Sequence, residues 1–372
     1  MEDYEGLENL GVVNLLGNRE GQVNLGVVNL TRDRLELALT CLDRATNINP
    51  EYPTAWLNKG VVLYSLGRPH EALEAFEQDI ELRPNNTSAW ANKANVLEQM
   101  NRYQEALEAR TRVVDLKPGD ARAWQSLGSA YYDSDHYREA LSAYNRSIDL
   151  RKSESNSWFG RALALSQLNR NREALRAYDR VTSLNPDHLE AWINKAVVLK
   201  RLSRYNDAAV AAETAINLRP DFAEAWAAKG DALLVLARQE NCLDRWKETF
   251  EAYDRATNLD ADYAECWSMK GVALLFMGRY LEASQTIERA MALRPNQPQD
   301  WFHKGQALLK MVEGQRASRP VETAAGVWWL CRAWRARDRF PNRGAQVMKI
   351  FEQIGYDPSR CAQDYLPIPI IS

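Results

Sequence analysis

The feature that most constrains this chain is a tryptophan that recurs with a fixed period. Successive steps are 34 residues long, except one of 41, and the series consists of Trp56, Trp90, Trp124, Trp158, Trp192, Trp226, Trp267 and Trp301. In the same register, a small residue follows each tryptophan by four places, an alanine follows most by sixteen, and a proline follows five of them by twenty-eight. Four columns that agree over eight copies indicate an array of one repeated unit.

The spacing of the columns predicts two amphipathic helices in each unit. With the tryptophan numbered 4, positions 4, 8 and 11 share one helical face, and positions 20, 24 and 27 share another. Proline at position 32, as at Pro84, ends the second helix because it lacks an amide hydrogen. Small residues at positions 8 and 20 let the helices approach, while the tryptophans and the aromatic residues at position 24 fill the remaining space. One pair cannot bury its apolar stripe alone, so neighbouring pairs must stack.

These columns resemble the tetratricopeptide repeat family, strongly over residues 53–300. The resemblance implies an all-α fold: a right-handed superhelical solenoid of stacked antiparallel helix pairs, whose first helices line a concave side. We expect about nine repeats, and their first residues lie near positions 19, 53, 87, 121, 155, 189, 223, 264 and 298.

The ends of the array and one internal unit depart from the period. We expect residues 1–18 to form a capping helix, residues 19–331 the solenoid, and residues 332–372 a carboxyl-terminal cap with an extended tail. The 41-residue unit carries seven extra residues near 237–246, which lengthen one or both of its helices or the turn between them. They form either a projecting knob or an edge insertion that the fold tolerates.

Composition excludes some classes of partner. Acidic and basic residues nearly cancel, at 50 against 47 with a net charge of −3, so the whole chain does not attract nucleic acid or an anionic membrane. Residues 332–343 combine arginine with tryptophan nearby, but a capping helix explains them, with its tryptophans buried and Arg332 and Arg335 in water. No apolar run reaches the length of a membrane span, and five cysteines at irregular spacing favour reduced thiols and a cytoplasmic location.

No catalytic pattern is present. The sequence lacks phosphate-binding glycine loops and metalloprotease or serine-hydrolase motifs, and its four histidines occupy unrelated repeat positions. We therefore expect no enzyme activity, no cofactor, no metal site and no small-molecule substrate.

The candidate binding residues lie on the first helices. Positions 2, 6, 9 and 13 fall opposite the packing face and are free to meet a ligand. Amide side chains there offer both donors and acceptors to the backbone of an extended peptide, a role that the family resemblance also implies for position 6. An alternative left open is that these residues are simply solvated. The polar candidates are Asn24, Asn58, Asn92, Asn95, Gln99 and Asn194.

Farther along, the same stripe becomes apolar at Met269, Val272 and Phe276, beside glutamates such as Glu265. This combination suits a partner helix with one apolar and one basic face. Alternatively, the apolar residues contact the adjacent hairpin or the chain's own tail, Leu366–Ser372.

The function predicted from these patterns is a protein-interaction scaffold that binds a peptide or partner-protein segment in the concave groove. The alternative is a self-associating structural protein whose groove is empty or filled by its own tail. An RNA-binding or enzyme-regulatory module is disfavoured because its motifs and charge are missing.

Overall fold

The computed structural model describes residues 32–313, 320–336, 341–354, 356–358 and 361. The predicted amino-terminal cap, Asn24 and the closing Leu366–Ser372 lie outside these residues. Within the described part, the regular elements are eighteen α-helices, which confirms the all-α class. They are α1 (Arg32–Ile48), α2 (Pro53–Ser65), α3 (Pro69–Leu82), α4 (Thr87–Gln99), α5 (Tyr103–Leu116), α6 (Ala121–Asp133), α7 (Tyr137–Leu150), α8 (Ser155–Gln167), α9 (Asn171–Leu184), α10 (Leu189–Arg201), α11 (Tyr205–Leu218), α12 (Ala223–Glu240), α13 (Leu243–Leu259), α14 (Ala264–Phe276), α15 (Tyr280–Leu293), α16 (Pro298–Glu313), α17 (Pro320–Arg335) and α18 (Pro341–Ile354).

The chain divides into two compact units, Met1–Leu184 and Asn185–Ser372. Within each unit, every described helix packs against the next one along the chain, which confirms stacked helical hairpins. In a regular hairpin a first helix of 13 residues and a second of 14 are joined by a three-residue turn, and a four-residue loop completes the period. The middle turn residue has a positive φ, as at Gly67 and Asn101. The right-handed superhelix and its concave groove stay predictions.

The small residues at position 8 allow the close helix contact that the sequence predicts. A β-carbon on Gly128 would lie 2.8 Å from the ring of Tyr144, which is the position-24 residue of the same hairpin. The same ring also presses on Gly160 of the following hairpin, where a β-carbon would lie 2.2 Å from Tyr144 Cζ. The aromatic ring therefore occupies the space that two glycines leave in successive first helices.

The repeated tryptophans do more than fill space. Each indole nitrogen donates a hydrogen bond to the backbone carbonyl six residues earlier, in the loop that precedes its helix, as from Trp90 Nε1 to Pro84 O at 2.9 Å. The acceptor is a backbone atom, so the bond persists where another residue replaces the proline, as at Lys152 and Ala261. The other donors are Trp56, Trp124, Trp192, Trp226 and Trp301. The tryptophan column thus fixes each loop to the next first helix.

A cation three residues after the tryptophan completes this junction. Lys93 Nζ lies 5.6 Å from the ring centre of Trp90 and 2.7 Å from Glu77 Oε1, on the second helix of the preceding hairpin. Lys59 and Lys270 make equivalent contacts with both a tryptophan and a carboxylate. The half-buried ammonium therefore joins neighbouring hairpins, a pattern that sequence analysis missed although it recurs in the register.

The seven extra residues lengthen both helices of one hairpin. Helix α12 has 18 residues and α13 has 17, and only two residues join them. The added Trp246 is 3% exposed and packs among Leu234, Ala237 and Val272. Its ring stacks on Phe276 of the next hairpin with centroids 4.2 Å apart. The insertion is thus part of the hydrophobic core at this position and does not project as a knob.

Two expectations about the carboxyl-terminal cap are wrong. Arg332 is half-buried, not solvated, and its guanidinium lies 4.4 Å from the ring centre of Trp301, with the rings of Trp328 and Trp329 within 6 Å. Cys331 and Cys361 form a disulfide, so the prediction of reduced thiols fails for this pair. The cytoplasmic location stays a prediction.

Arg335 of α17 is exposed as expected, but it also holds the chain beyond α18. Its guanidinium donates from Nε to the backbone carbonyl of Cys361 at 2.6 Å. The disulfide and this hydrogen bond therefore both attach Cys361 to α17.

Candidate interaction site

Two polar stripes run along neighbouring first helices of the first unit, α4 and α6. Steps of three and four residues place their members on one face of each helix, opposite the face that packs. On α4 the stripe consists of Ser88, Asn92, Asn95 and Gln99, and on α6 of Arg122, Ser126, Ser129 and Asp133. The face combines hydroxyl, amide and charged groups, so it suits a polar backbone better than an apolar surface.

Arg110 of α5 reaches this face from the second helix of the hairpin. It occupies position 24, where neighbouring hairpins carry Phe76 and Tyr144. Its guanidinium donates to both carboxylate oxygens of Glu98, at 2.6 and 2.7 Å, and to Asn95 Oδ1 at 3.0 Å. Such paired hydrogen bonds fix the orientation of a planar guanidinium.

A pocket opens between α4 and α6, and Arg110 forms part of its wall. Ala91 and Ala123 leave room for it because their side chains are short. Only one carboxylate, Asp120, lines the pocket, and its side chain already accepts the amide hydrogen of Arg122 at 2.9 Å. The remaining polar lining consists of three hydroxyls and three cations: Thr87, Ser88, Ser126, Arg110, Lys117 and Arg122. The pocket is therefore a hydrogen-bonding and mildly cationic cavity.

Two titratable groups on or near this face have raised pKa values. The pKa of Asp133 is raised, because loss of hydration and the nearby Glu98 carboxylate outweigh the attraction of Arg110. Burial raises the pKa of Tyr144 to about 12, and its hydroxyl lies 3.2 Å from Ser129 Oγ. The Tyr144 hydroxyl therefore stays protonated near neutral pH and offers hydrogen bonds on this face.

The predicted polar residues of the first unit fall into different environments. Asn95 is held by Arg110, and Gln99 is exposed. Asn58 and Asn92 are both half-buried. Within the part of the chain that the structure describes, the Asn92 side chain has no hydrogen-bond partner. Its amide is thus partly accessible and unpaired among these residues, and its binding role stays a prediction.

The predicted residues of the second unit also fall into different environments. Asn194 donates to the backbone carbonyl of Glu190 at 2.8 Å, within its own helix. Val272 is fully buried between hairpins, so its assignment to a binding surface is wrong. Met269 is half-buried against the same core cluster. Only Phe276, which is 55% exposed on top of Trp246, presents a large apolar surface.

Sequence analysis missed Arg110 and Lys117. A signal for Arg110 was present, since a cation at position 24 breaks a column of otherwise aromatic or aliphatic residues. Lys117 lies in a connecting loop, where the repeat pattern assigns it no contact.

The described residues contain no group of three or more histidine, cysteine, aspartate or glutamate side chains arranged to hold a metal ion. Among the helices assigned above, none combines the length and the apolar character needed to cross a bilayer.

Several solved structures similar to this chain are tetratricopeptide repeat proteins. The carboxyl-terminal part of a tetratricopeptide repeat protein from Cytophaga hutchinsonii is 12% identical, with a TM-score of 0.55 over 72% of this chain and 99% of the other. A tetratricopeptide repeat protein from Parabacteroides merdae is 14% identical, with a TM-score of 0.50 over 73% and 98%. YrrB, described as having an unusual peptide-binding site, is 22% identical, with a TM-score of 0.46 over 50% and 97%.

Comparison with curated proteins finds no match. Models of the tetratricopeptide repeat, however, match residues 25–95, 86–153, 159–216 and 264–297. The gap before the last match contains the lengthened α12–α13 hairpin. With its repeated columns and stacked hairpins, the chain belongs to the tetratricopeptide repeat family.

Proposed function

We propose that this protein is a non-enzymatic interaction scaffold that binds a segment of a partner protein across the first helices α4 and α6. The observation that carries the proposal is the pocket between these helices, whose polar wall includes Arg110 and Lys117. A repeat array supports this role because its stacked hairpins present an extended surface without requiring a catalytic centre.

The groups on this face suit different parts of a peptide. The amide of Asn92 offers one acceptor and two donors to a peptide backbone. Lys117 is exposed, and no carboxylate of the described residues lies within ion-pair distance of it. Its ammonium and the hydroxyl of Ser126 therefore suit an acceptor-rich side chain that enters the pocket.

Preorganisation supports the same assignment. Glu98 and Asn95 hold the Arg110 guanidinium in place before any ligand arrives. Little side-chain entropy is then lost at this residue when a partner binds, which favours affinity.

Quantitative affinity capture from native lysate tests the proposal. We expect Asn92→Ala/Ser126→Ala to reduce recovery of specific partners, because loss of two hydrogen-bonding groups weakens binding about tenfold. The matched control is Ser142→Ala/Asn206→Ala, which removes the same residue types from exposed positions on second helices. Equal recovery by both variants, with unchanged helicity, would contradict the assignment.

A further inference from the structure

A second charged surface lies on the outer faces of α7 and α9, away from the pocket. Three arginines of α9 follow one another at intervals of four residues, and two arginines of α7 occupy the first and last of the same repeat positions. These residues, which we call the arginine patch, are Arg138, Arg146, Arg172, Arg176 and Arg180. All five are exposed, and helical geometry places them opposite the buried side chains of their helices.

Within the described part of the chain, the arginines of the patch are not held in ion pairs. No carboxylate of the described residues lies within ion-pair distance of its five guanidinium groups. By contrast, the arginine just before α9, Arg170, is paired with Glu173 at 2.7 Å. Residues 137–184 carry nine basic and five acidic side chains, a local net charge of +4 in a chain whose total is −3.

Arg161 adds to this positive charge. Helix α8, which carries it, packs against both α7 and α9. Its guanidinium lies 5.1 Å from the ring centre of Trp158, and its Nε has no hydrogen-bond partner. At the corresponding position Lys93 is paired with Glu77, but here Asn145 stands in place of the carboxylate. Without that carboxylate, Arg161 forms no ion pair with any of the described residues.

We propose that the arginine patch binds an acidic segment of a partner protein, rich in aspartate or glutamate. Guanidinium groups bind carboxylates through paired hydrogen bonds, and the three arginines of α9 together span about 12 Å along the helix axis. This surface is separate from the pocket between α4 and α6, so the scaffold has two interaction sites.

The small extent of the arginine patch favours a short protein segment over nucleic acid as its ligand. The second helix that precedes α7 is α5. There Gln104 takes the repeat position of Arg138, and Glu108 takes that of Ser142. A long polyanion that extended from α7 onto α5 would therefore meet the carboxylate of Glu108. Single-stranded nucleic acid is usually held by exposed aromatic rings as well as by charge. The nearest repeat tryptophan, Trp158, is half-buried and covered by Arg161.

The test is fluorescence anisotropy of a labelled oligoglutamate peptide with the full chain. We expect Arg172→Gln/Arg176→Gln/Arg180→Gln to weaken binding by about tenfold or more. Replacement of the same three arginines by lysine keeps the charge and should weaken it less, because lysine does not bind carboxylates in pairs. The matched control, Arg34→Gln/Arg255→Gln/Arg289→Gln, removes equal charge from exposed positions on other helices and should leave affinity within about twofold.

Three results would overturn the proposal, provided that circular dichroism shows all variants folded. Equal weakening by the control variant would mean that the peptide responds only to total charge. Tighter binding of an oligonucleotide of matched charge would identify a nucleic-acid surface. The third result is self-association without peptide binding. The molecular mass of the wild-type protein would then rise with its concentration, while the glutamine variant would have the mass of a monomer. This would identify a second copy of the chain as the occupant.

Discussion

A β-carbon on Gly60 would fall 2.5 Å from Cε1 of Phe76. The glycine lies on α2 and the phenylalanine on α3, where the ring is 1% exposed and fully enclosed by the core. The ring cannot move aside without opening a cavity, so the columns at positions 8 and 24 depend on each other.

Gly60→Ala should therefore destabilise the protein, although alanine favours a helix. Overpacking costs about 1–3 kcal/mol, which exceeds the helix-propensity gain of about 1 kcal/mol. Urea denaturation measures the loss, and Phe76→Leu in the same chain should restore part of it. Gly119→Ala is the control, since no atom lies within 4 Å of its added carbon. An equal loss in both single variants would refute the steric explanation.

The tryptophan junction gives a second prediction. Trp124→Phe removes a hydrogen bond to Pro118 O and should cost on the order of 1 kcal/mol. Trp90→Phe also weakens the contact with Lys93 and should cost about 0.5 kcal/mol more. Leu127 occupies the position of that lysine beside Trp124, so the two variants differ in the cation. If Trp124→Phe leaves the urea midpoint unchanged, the indole bond does not hold the loop.

The insertion gives a third prediction. Trp246→Ala should cost about 3–5 kcal/mol, because it empties a buried site in the core. A double-mutant cycle with Phe276→Ala should show a coupling of about 0.5–1.5 kcal/mol from the stacked rings. Leu243→Ala, at a site 52% exposed in the same extension, should change stability by less than about 0.5 kcal/mol. Additive effects of the ring variants would mean that the stacking contributes nothing.

Asp300 gives a prediction about pH. Its carboxyl is 1% exposed and accepts a hydrogen bond from Ser268, while Oδ2 has no partner. Burial raises its pKa, so the folded state binds this proton more tightly than the unfolded state does. Protonation of Asp300 therefore stabilises the folded state fully at pH values below the pKa that this carboxyl has in the unfolded chain. The stabilisation is lost as the pH rises through its pKa in the folded protein.

Asp300→Asn removes the buried charge and should raise stability by about 1 kcal/mol at neutral pH. The gain should shrink as the pH falls towards about 4, where the wild-type carboxyl is protonated. Melting temperatures measured across this range test the prediction, with the exposed Asp221→Asn as control. A gain that is independent of pH would exclude the carboxyl charge as its cause.

The cysteines give a fifth prediction. Unfolding without reductant should expose three reactive thiols, and reduction should raise the number to five. In the folded protein only the exposed Cys242 should react quickly, because Cys41 is buried and burial raises the pKa of the Cys266 thiol. Reduction should lower stability by about 3 kcal/mol, since the bond closes a loop of 30 residues. Mass spectrometry after alkylation measures the thiols, and five before reduction would contradict the disulfide.

The sequence by itself determined the repeat and its helical hairpins. A tryptophan that recurs mostly every 34 residues, a small residue four places later and a proline near the end of most units are local requirements of helix packing and termination. It also pointed to a polar first-helix face at Asn92, because a residue's position on a helix follows from its position in the repeat. These features arise from contacts within one repeat and with its nearest neighbours, so they occur at regular intervals in the sequence.

Only the tertiary structure decided which residues on that face are accessible. Val272 and Phe276 share the same predicted stripe, yet one is fully buried and the other 55% exposed. Val272 packs among Leu234, Ala237 and Trp246 of the longer hairpin, whereas Phe276 lies on the face of the Trp246 ring. Arg110 reaches the pocket from a second helix, and Cys331 meets Cys361 across 30 residues. Contacts of this kind join residues whose separation follows no repeat, so they are fixed only when the helices pack.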